Sequence, residues 1–253
     1  MCRDHLVVAA RCKPIISVSQ KPIDLGMNIC IGETGRSHLS MYTQILTGLQ
    51  AATTEYVALV EHDCLYTPYH FMWVPPAKDV FYYNLNVWFV NMKGEYFYQR
   101  RRVLSQLICG RDIALKAIED KVYLLKHGYM IRKGVLGACE PGCLSDKEAF
   151  EQAAFCEADW LKTHDIKDIK TEPPQLQAVT QEPGVCDERA EYKGVLAQFK
   201  DLGKEVGVWK ADTFNGELPN VDIRHGTNFS RGRRPKDPVM YLPYWGKWSE
   251  IYS

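Results

Sequence analysis

The 253-residue chain carries no net charge, because 31 Lys and Arg balance 31 Asp and Glu. That balance argues against a general nucleic-acid coat and a polybasic membrane anchor, both of which need a broad positive field. A local basic cluster does occur near the C-terminus, at Arg231, Arg233, Arg234 and Lys236. No apolar run approaches the roughly 20 residues that span a bilayer. The opening Met1-Cys2-Arg3-Asp4-His5 lacks the pattern of a secretory leader. No CxxC pair occurs among the nine cysteines. Their odd number and irregular spacing fit scattered reduced thiols in a cytoplasmic protein better than a disulfide framework. Cys139 and Cys143, with His127 and His164 at a distance, give only a weak zinc signal. There is no internal repeat, no low-complexity block and no Gly-Lys-Ser/Thr phosphate loop.

What is present is a core-forming composition. Hydrophobic residues make up 46% of the chain, which is enough for a packed domain. A helix is expected to end near Cys12, followed by a short strand at Pro14–Ser19. Residues 26–35 read as a glycine-bearing loop. Ser37 then caps a helix in which Met41, Ile45, Leu46 and Leu49 recur at helical spacing. Tyr56–Val60 is the next strand, so this stretch reads as a β-α-β unit with parallel neighbours. Val80–Asn91 predicts one or two strands, and Tyr96–Tyr98 pairs back after the Lys93-Gly94-Glu95 turn. Leu104–Lys126 reads as one long helix. A strand at Met130–Leu136 follows, and Ser145-Asp146-Lys147-Glu148 is a capping box opening a helix to about Thr163. Residues 165–187 are irregular, a helix resumes over Asp187–Lys200, and the chain reads as loop from Asn215 onward.

The most informative stretch is Tyr56-Val57-Ala58-Leu59-Val60-Glu61-His62-Asp63. A buried strand that stops in Glu-His-Asp puts carboxylates at its C-terminal edge, where open α/β sheets bind ligands. Two hard oxygen donors at such an edge suit a divalent cation, and a divalent cation suits a phosphate. The alternative is a strand ending in a solvated polar turn.

On these residues the chain resembles the GT-A class of nucleotide-sugar glycosyltransferases, in particular a phage and bacterial GT-A-like group. Three segments carry the likeness: Pro14–Pro22 with Ile31–Ser37, Glu55–Asp63, and Val221–Gly232. The resemblance implies a Rossmann-like α/β domain over residues 1–253, with a mixed, mostly parallel sheet and helices on both faces. Residues 1–100 would form the nucleotide- and metal-binding half, and 101–253 the acceptor half. It further implies transfer of a sugar from a nucleoside-diphosphate sugar to a hydroxyl acceptor, dependent on Mn²⁺ or Mg²⁺. Asp63 matches the metal-binding aspartate of the family's acidic motif, and Glu61 stands where the motif usually has Asp. His225, in Ile223-Arg-His-Gly226, matches a C-terminal histidine that many such enzymes add as a metal ligand. Arg231 and Arg233 follow it as candidate diphosphate contacts. The phage-like resemblance extends the acceptor to a modified DNA base, although zero net charge gives that no support.

The resemblance departs at the N-terminus. GT-A folds open with a base-binding strand, and thirteen residues before Pro14 cannot hold both a strand and its crossover helix. The opening strand is therefore expected to be missing, which leaves a sheet edge open for pairing with another copy. A non-catalytic binding or assembly module is the second reading. A nucleotidyltransferase is the third, though the chain lacks its glycine- and lysine-rich opening loop.

Several other residues are candidates. Gly35 and Arg36 lie in a loop leading into a helix, where Arg36 either contacts a phosphate or caps the fold. An inverting transferase needs a base for the acceptor proton, for which Glu140 and then Asp159 are the options. Tyr82, Tyr83, Trp88, Tyr96 and Tyr98 either stack on sugar rings or belong to the core. Trp245 and Trp248 serve either the acceptor side or the open edge.

Overall fold

The computed structural model describes residues 1–98, 102–126, 140–141, 209–224 and 238–251. Helix α1 (Cys2–Ala10) precedes the first strand, β1 (Ile16–Ser19), as the sequence predicts. β2 (Met27–Cys30) lies in the stretch read as loop and pairs with β1 in parallel. So short a return is possible because both strands are only four residues long. Gly26 makes it tight: its φ is +57° and the Ile15 carbonyl occupies the space a Cβ would need. Asn28 then pins the return by donating to the hydroxyls of Ser17 and Ser19, each at 2.9 Å.

Helix α2 (His38–Ala51) starts at Ser37, whose hydroxyl accepts the Ser40 N–H at 3.0 Å. That satisfies one of the donors a helix start leaves unpaired. β3 (Tyr56–Ala58) follows, then β4 (Cys64–Leu65), α3 (Pro68–Met72), β5 (Val80–Asn84), β6 (Val87–Val90) and β7 (Tyr96–Tyr98). A 3₁₀ turn at Leu104–Gln106 leads into β8 (Leu107–Gly110), and α4 spans Arg111–Lys126. β9 (Lys210–Phe214), β10 (Asn220–Ile223) and a short α5 (Trp248–Ile251) complete the described elements.

The strands form the β1–β2 pair and two four-stranded sheets, ordered β3-β8-β5-β9 and β4-β10-β6-β7. The class is mixed α/β, but the expected predominance of parallel pairing is corrected. Among the described residues three pairings are parallel and four antiparallel. β1 and β3, read as parallel neighbours, pair instead with β2 and β8. The expected 104–126 helix is also corrected, because its first seven residues are the 3₁₀ turn plus a strand with all four residues buried. Gly110 closes that strand where the Lys78 carbonyl fills any Cβ position.

The two four-stranded sheets are joined by the chain itself. β5 passes into β6 through Leu85 and Asn86, and β9 passes into β10 alongside it in parallel. Asparagines hold this seam. Asn84 accepts the N–H groups of Asn86 and Gly216, both at 2.9 Å, and Asn86 donates to the Gly216 carbonyl at 2.8 Å. α2 and α4 cover one face of the β3-β8-β5-β9 sheet, burying Tyr42, Leu49, Phe81, Tyr83, Leu107 and Ile118. Each such side chain contributes about 1.5–3 kcal/mol. Trp73, stacked on Phe214 at 3.9 Å, packs with Tyr82 and Ile108 in a further cluster. The C-terminal segment packs Leu242 and Trp245 against Leu65, Val90, Tyr96 and Val221. Among the described residues no helix is long and apolar enough to cross a membrane.

Candidate functional site

β3 (Tyr56-Val57-Ala58) pairs with β8, and the pairing runs on to Leu59, whose N–H donates to the Leu107 carbonyl at 2.9 Å. The chain then turns through Glu61, His62 and Asp63 and enters β4. β4 is fixed by β10, because Cys64 faces Asp222 and the Ile223 N–H donates to the Asp63 carbonyl at 2.8 Å. The acidic turn is thus clamped between two sheets; it begins three residues past the end of β3, which is a half-buried edge strand paired antiparallel with β8 and not a buried strand running to Val60.

Strand alternation in β10 sets the chemistry of its two faces. Val221 and Ile223 enter the core under the C-terminal segment. Asp222 and Arg224 take the other face, beside Cys64. The Arg224 Nη2 pairs with Asp222 Oδ2 at 2.8 Å, with only 14% and 12% of the two side chains exposed. The guanidinium also lies 5.5 Å from the centre of the Phe89 ring.

A carboxylate oxygen of Glu61, one of Asp63 and the Cys64 Sγ lie within 4.8 Å of one another. Glu61 is exposed over its area as a whole, yet enough protein crowds its carboxylate to hold it at a pKa of about 7. Loss of water is the main cause, followed by repulsion from Asp63 and Asp222, with Arg224 opposing and Glu140 adding to it. Cys64 is buried, and burial with the neighbouring acids pushes its thiol well above the ordinary range. It is therefore a protonated thiol in this setting. The hard oxygen donors are the carboxylates.

Glu140 is brought into electrostatic reach of Glu61. Its neighbour Pro141 offers a carbonyl to the Tyr83 hydroxyl at 2.7 Å, which ties this short stretch to β5. Gly35 and Arg36 sit just before α2, where Gln20 donates to the Gly35 carbonyl at 2.7 Å and accepts the Thr34 N–H at 3.1 Å. Gly35 is fixed by Gln20, which also reaches Ser40. His225, Asp159, Arg231 and Arg233 lie outside the described residues, as do His127, Cys139, Cys143 and His164. The last residue described before His225 is Arg224, which stands in the site.

Of the aromatic candidates, Tyr82, Tyr83 and Tyr96 are buried in core clusters, while Tyr98 is exposed and leans on Trp88 at 5.3 Å. Trp245 is core too, and its indole N–H donates to the Pro219 carbonyl at 2.7 Å. Sequence reasoning missed Asp222, Arg224 and Cys64 as neighbours of the acidic turn. For the first two the signal was the alternation Val-Asp-Ile-Arg at 221–224.

Comparison with known proteins returns no matching family model, no matching curated protein and no matching solved structure.

Proposed function

We propose that this chain is a metal-dependent glycosyltransferase, with the cluster of Glu61, Asp63, Asp222 and Arg224 as the site for a divalent cation and the diphosphate of a nucleoside-diphosphate sugar. The supporting observation is the convergence of carboxylates: Glu61 and Asp63 within 4.8 Å, with Asp222 and Glu140 close enough to raise Glu61 further. Such a cluster is electrostatically uphill unless a proton or a cation enters it. Hard carboxylate oxygens fit Mn²⁺ or Mg²⁺, and a protonated thiol beside them does not compete.

In this reading Asp63 and Glu61 bind the ion, whose chemistry when bound is to neutralise charge on the departing diphosphate. Asp222, pinned by Arg224, holds the negative field on the far side. Arg224 offers the phosphates a guanidinium already partly freed of water. Glu140, within electrostatic reach of Glu61, would take the acceptor's proton if configuration inverts. His225, by resemblance, adds an imidazole to the same ion, and Arg231 and Arg233 cover the diphosphate.

Calorimetry with a panel of nucleoside diphosphates, with and without Mn²⁺, tests the reading. At least one nucleotide is expected to bind only with Mn²⁺. Asp63→Asn should weaken that binding by about a hundredfold while leaving the melting temperature unchanged. Nucleotide binding indifferent to Mn²⁺ or to Asp63→Asn would sink the proposal. Mn²⁺-dependent binding without sugar turnover would favour a binding module over an enzyme.

A further inference from the structure

We infer that Tyr66 is a positioning residue that sets Glu61 by inserting its hydroxyl into the β3–β8 ladder, an inference that rests on the cation site proposed above. The register carries the argument. Tyr56 faces Gly110, Val57 faces Cys109 and Ala58 faces Ile108. The Arg111 N–H donates to the Glu55 carbonyl at 3.0 Å, and the Leu59 N–H donates to the Leu107 carbonyl at 2.9 Å. Antiparallel alternation places the next direct bond between the Glu61 N–H and the Ser105 carbonyl. That bond is replaced. The Tyr66 hydroxyl accepts the Glu61 N–H at 3.0 Å and donates to the Ser105 carbonyl at 2.9 Å.

One oxygen therefore serves both backbone groups, using a lone pair toward β3 and its proton toward β8. The ladder is wedged open by the width of a hydroxyl at Glu61, where the segment opposite it is the 3₁₀ turn Leu104–Gln106 that precedes β8. Without the wedge, Glu61 would continue β3 against Ser105. With it, the chain turns early enough for the Glu61 carboxylate to meet Asp63. The wedge cannot swing away, because Tyr66 is 1% exposed and lies against His70 and Phe71 at ring distances of 5.4 and 5.5 Å. Phenylalanine would keep the ring and remove the wedge. The Glu61 N–H and the Ser105 C=O then lose the oxygen that joins them, which frees the Glu61 backbone to move.

The test compares the full chain with Tyr66→Phe and Tyr42→Phe. Tyr42 is a buried tyrosine between α2 and α4 whose hydroxyl accepts from Lys121 Nζ at 3.4 Å, so it controls for the loss of a buried hydroxyl. Tyr66→Phe should weaken Mn²⁺ binding about tenfold, with Tyr42→Phe unchanged. Amide exchange followed by NMR without metal should show Glu61 exchanging about tenfold faster in Tyr66→Phe, with Val57 and Leu59 as before. Unchanged exchange at Glu61, or unchanged Mn²⁺ affinity in a variant whose Glu61 exchange has risen, overturns the inference. Failure of the native chain to take up Mn²⁺ overturns the cation reading instead, and the wedge is then decided by Glu61 exchange alone.

Discussion

Asp222 and Arg224 stand two residues apart on one face of the chain and pair at 2.8 Å, directly beside an acidic turn that lies some 160 residues earlier in the sequence. The pair opposes itself in function. Arg224 lowers the charge that a cation would feel, yet supplies charge that a diphosphate would seek. Arg224→Met keeps an apolar stem over Phe89 and removes the guanidinium that Asp222 pairs with at 2.8 Å in a largely buried place. The fold should lose about 2 kcal/mol in denaturant melts near neutral pH. Mn²⁺ alone should then bind more tightly, and a nucleoside diphosphate with Mn²⁺ less tightly. A parallel fall in both affinities would make Arg224 a scaffold residue only.

The pH dependence follows from Glu61. Its folded-state pKa of about 7 lies above the ordinary 4.5, so the folded chain holds this proton more firmly than the unfolded one. The associated stability is therefore fully present below pH 4.5 and is lost as pH rises through about 7. Glu61→Gln should flatten that slope and gain up to about 1 kcal/mol at pH 8, allowing for solvent around the group. Mn²⁺ must displace the same proton, so its apparent affinity should fall about tenfold per pH unit below 7. Thermal melts from pH 5 to 8, with and without Mn²⁺, check both. A wild-type slope that survives Glu61→Gln would assign it to another group.

The cysteines separate by environment. Cys12 and Cys30 are exposed, whereas Cys64 and Cys109 are buried with thiols pushed upward by desolvation. Iodoacetamide at pH 8 should label Cys12 and Cys30 in the native chain and reach Cys64 and Cys109 about a hundredfold more slowly, at the rate of local opening. Mass spectrometry after timed quenching reads this directly. Prompt labelling of Cys64 would mean that solvent reaches its sulfur without local opening of the fold.

How much of this was legible in the sequence depends on what each segment buries. Helix α2 was readable because Ser37 signals its start and its apolar residues keep helical spacing. The acidic turn was readable because an apolar strand stopping in Glu-His-Asp is unusual in itself. β8 was not, because Leu107-Ile108-Cys109-Gly110 is buried on both faces, loses any period of two, and runs straight into helix α4. β10 failed for another reason. It is four residues long inside a glycine- and proline-rich tail, and it becomes a strand only because β4 and β6 flank it. Asp222 was therefore invisible as a neighbour of Asp63, since that contact depends on register between distant strands. The wedge at Tyr66 has no local signature at all.

The seam between the sheets gives the last prediction. Asn220, fully buried at the start of β10, accepts the Thr67 N–H at 2.9 Å and the Thr67 hydroxyl at 3.3 Å, and donates to Gln106 Oε1 at 2.7 Å. Three segments thus meet on one side chain: β10, the link between β4 and α3, and the turn before β8. Asn220→Ala leaves a buried N–H and a buried amide oxygen without partners, which costs about 2–4 kcal/mol. Asn220→Asp keeps the acceptor toward Thr67. When protonated, its second oxygen donates to Gln106 Oε1 in place of the amide. Aspartate should therefore be less damaging than alanine at pH 4, where it is protonated in so buried a place, and should lose that advantage as pH rises and the carboxyl must charge. Urea melts of both variants at pH 4 and pH 8 decide it. Equal losses at both pH values would show that the seam is held by packing and not by this asparagine's hydrogen bonds.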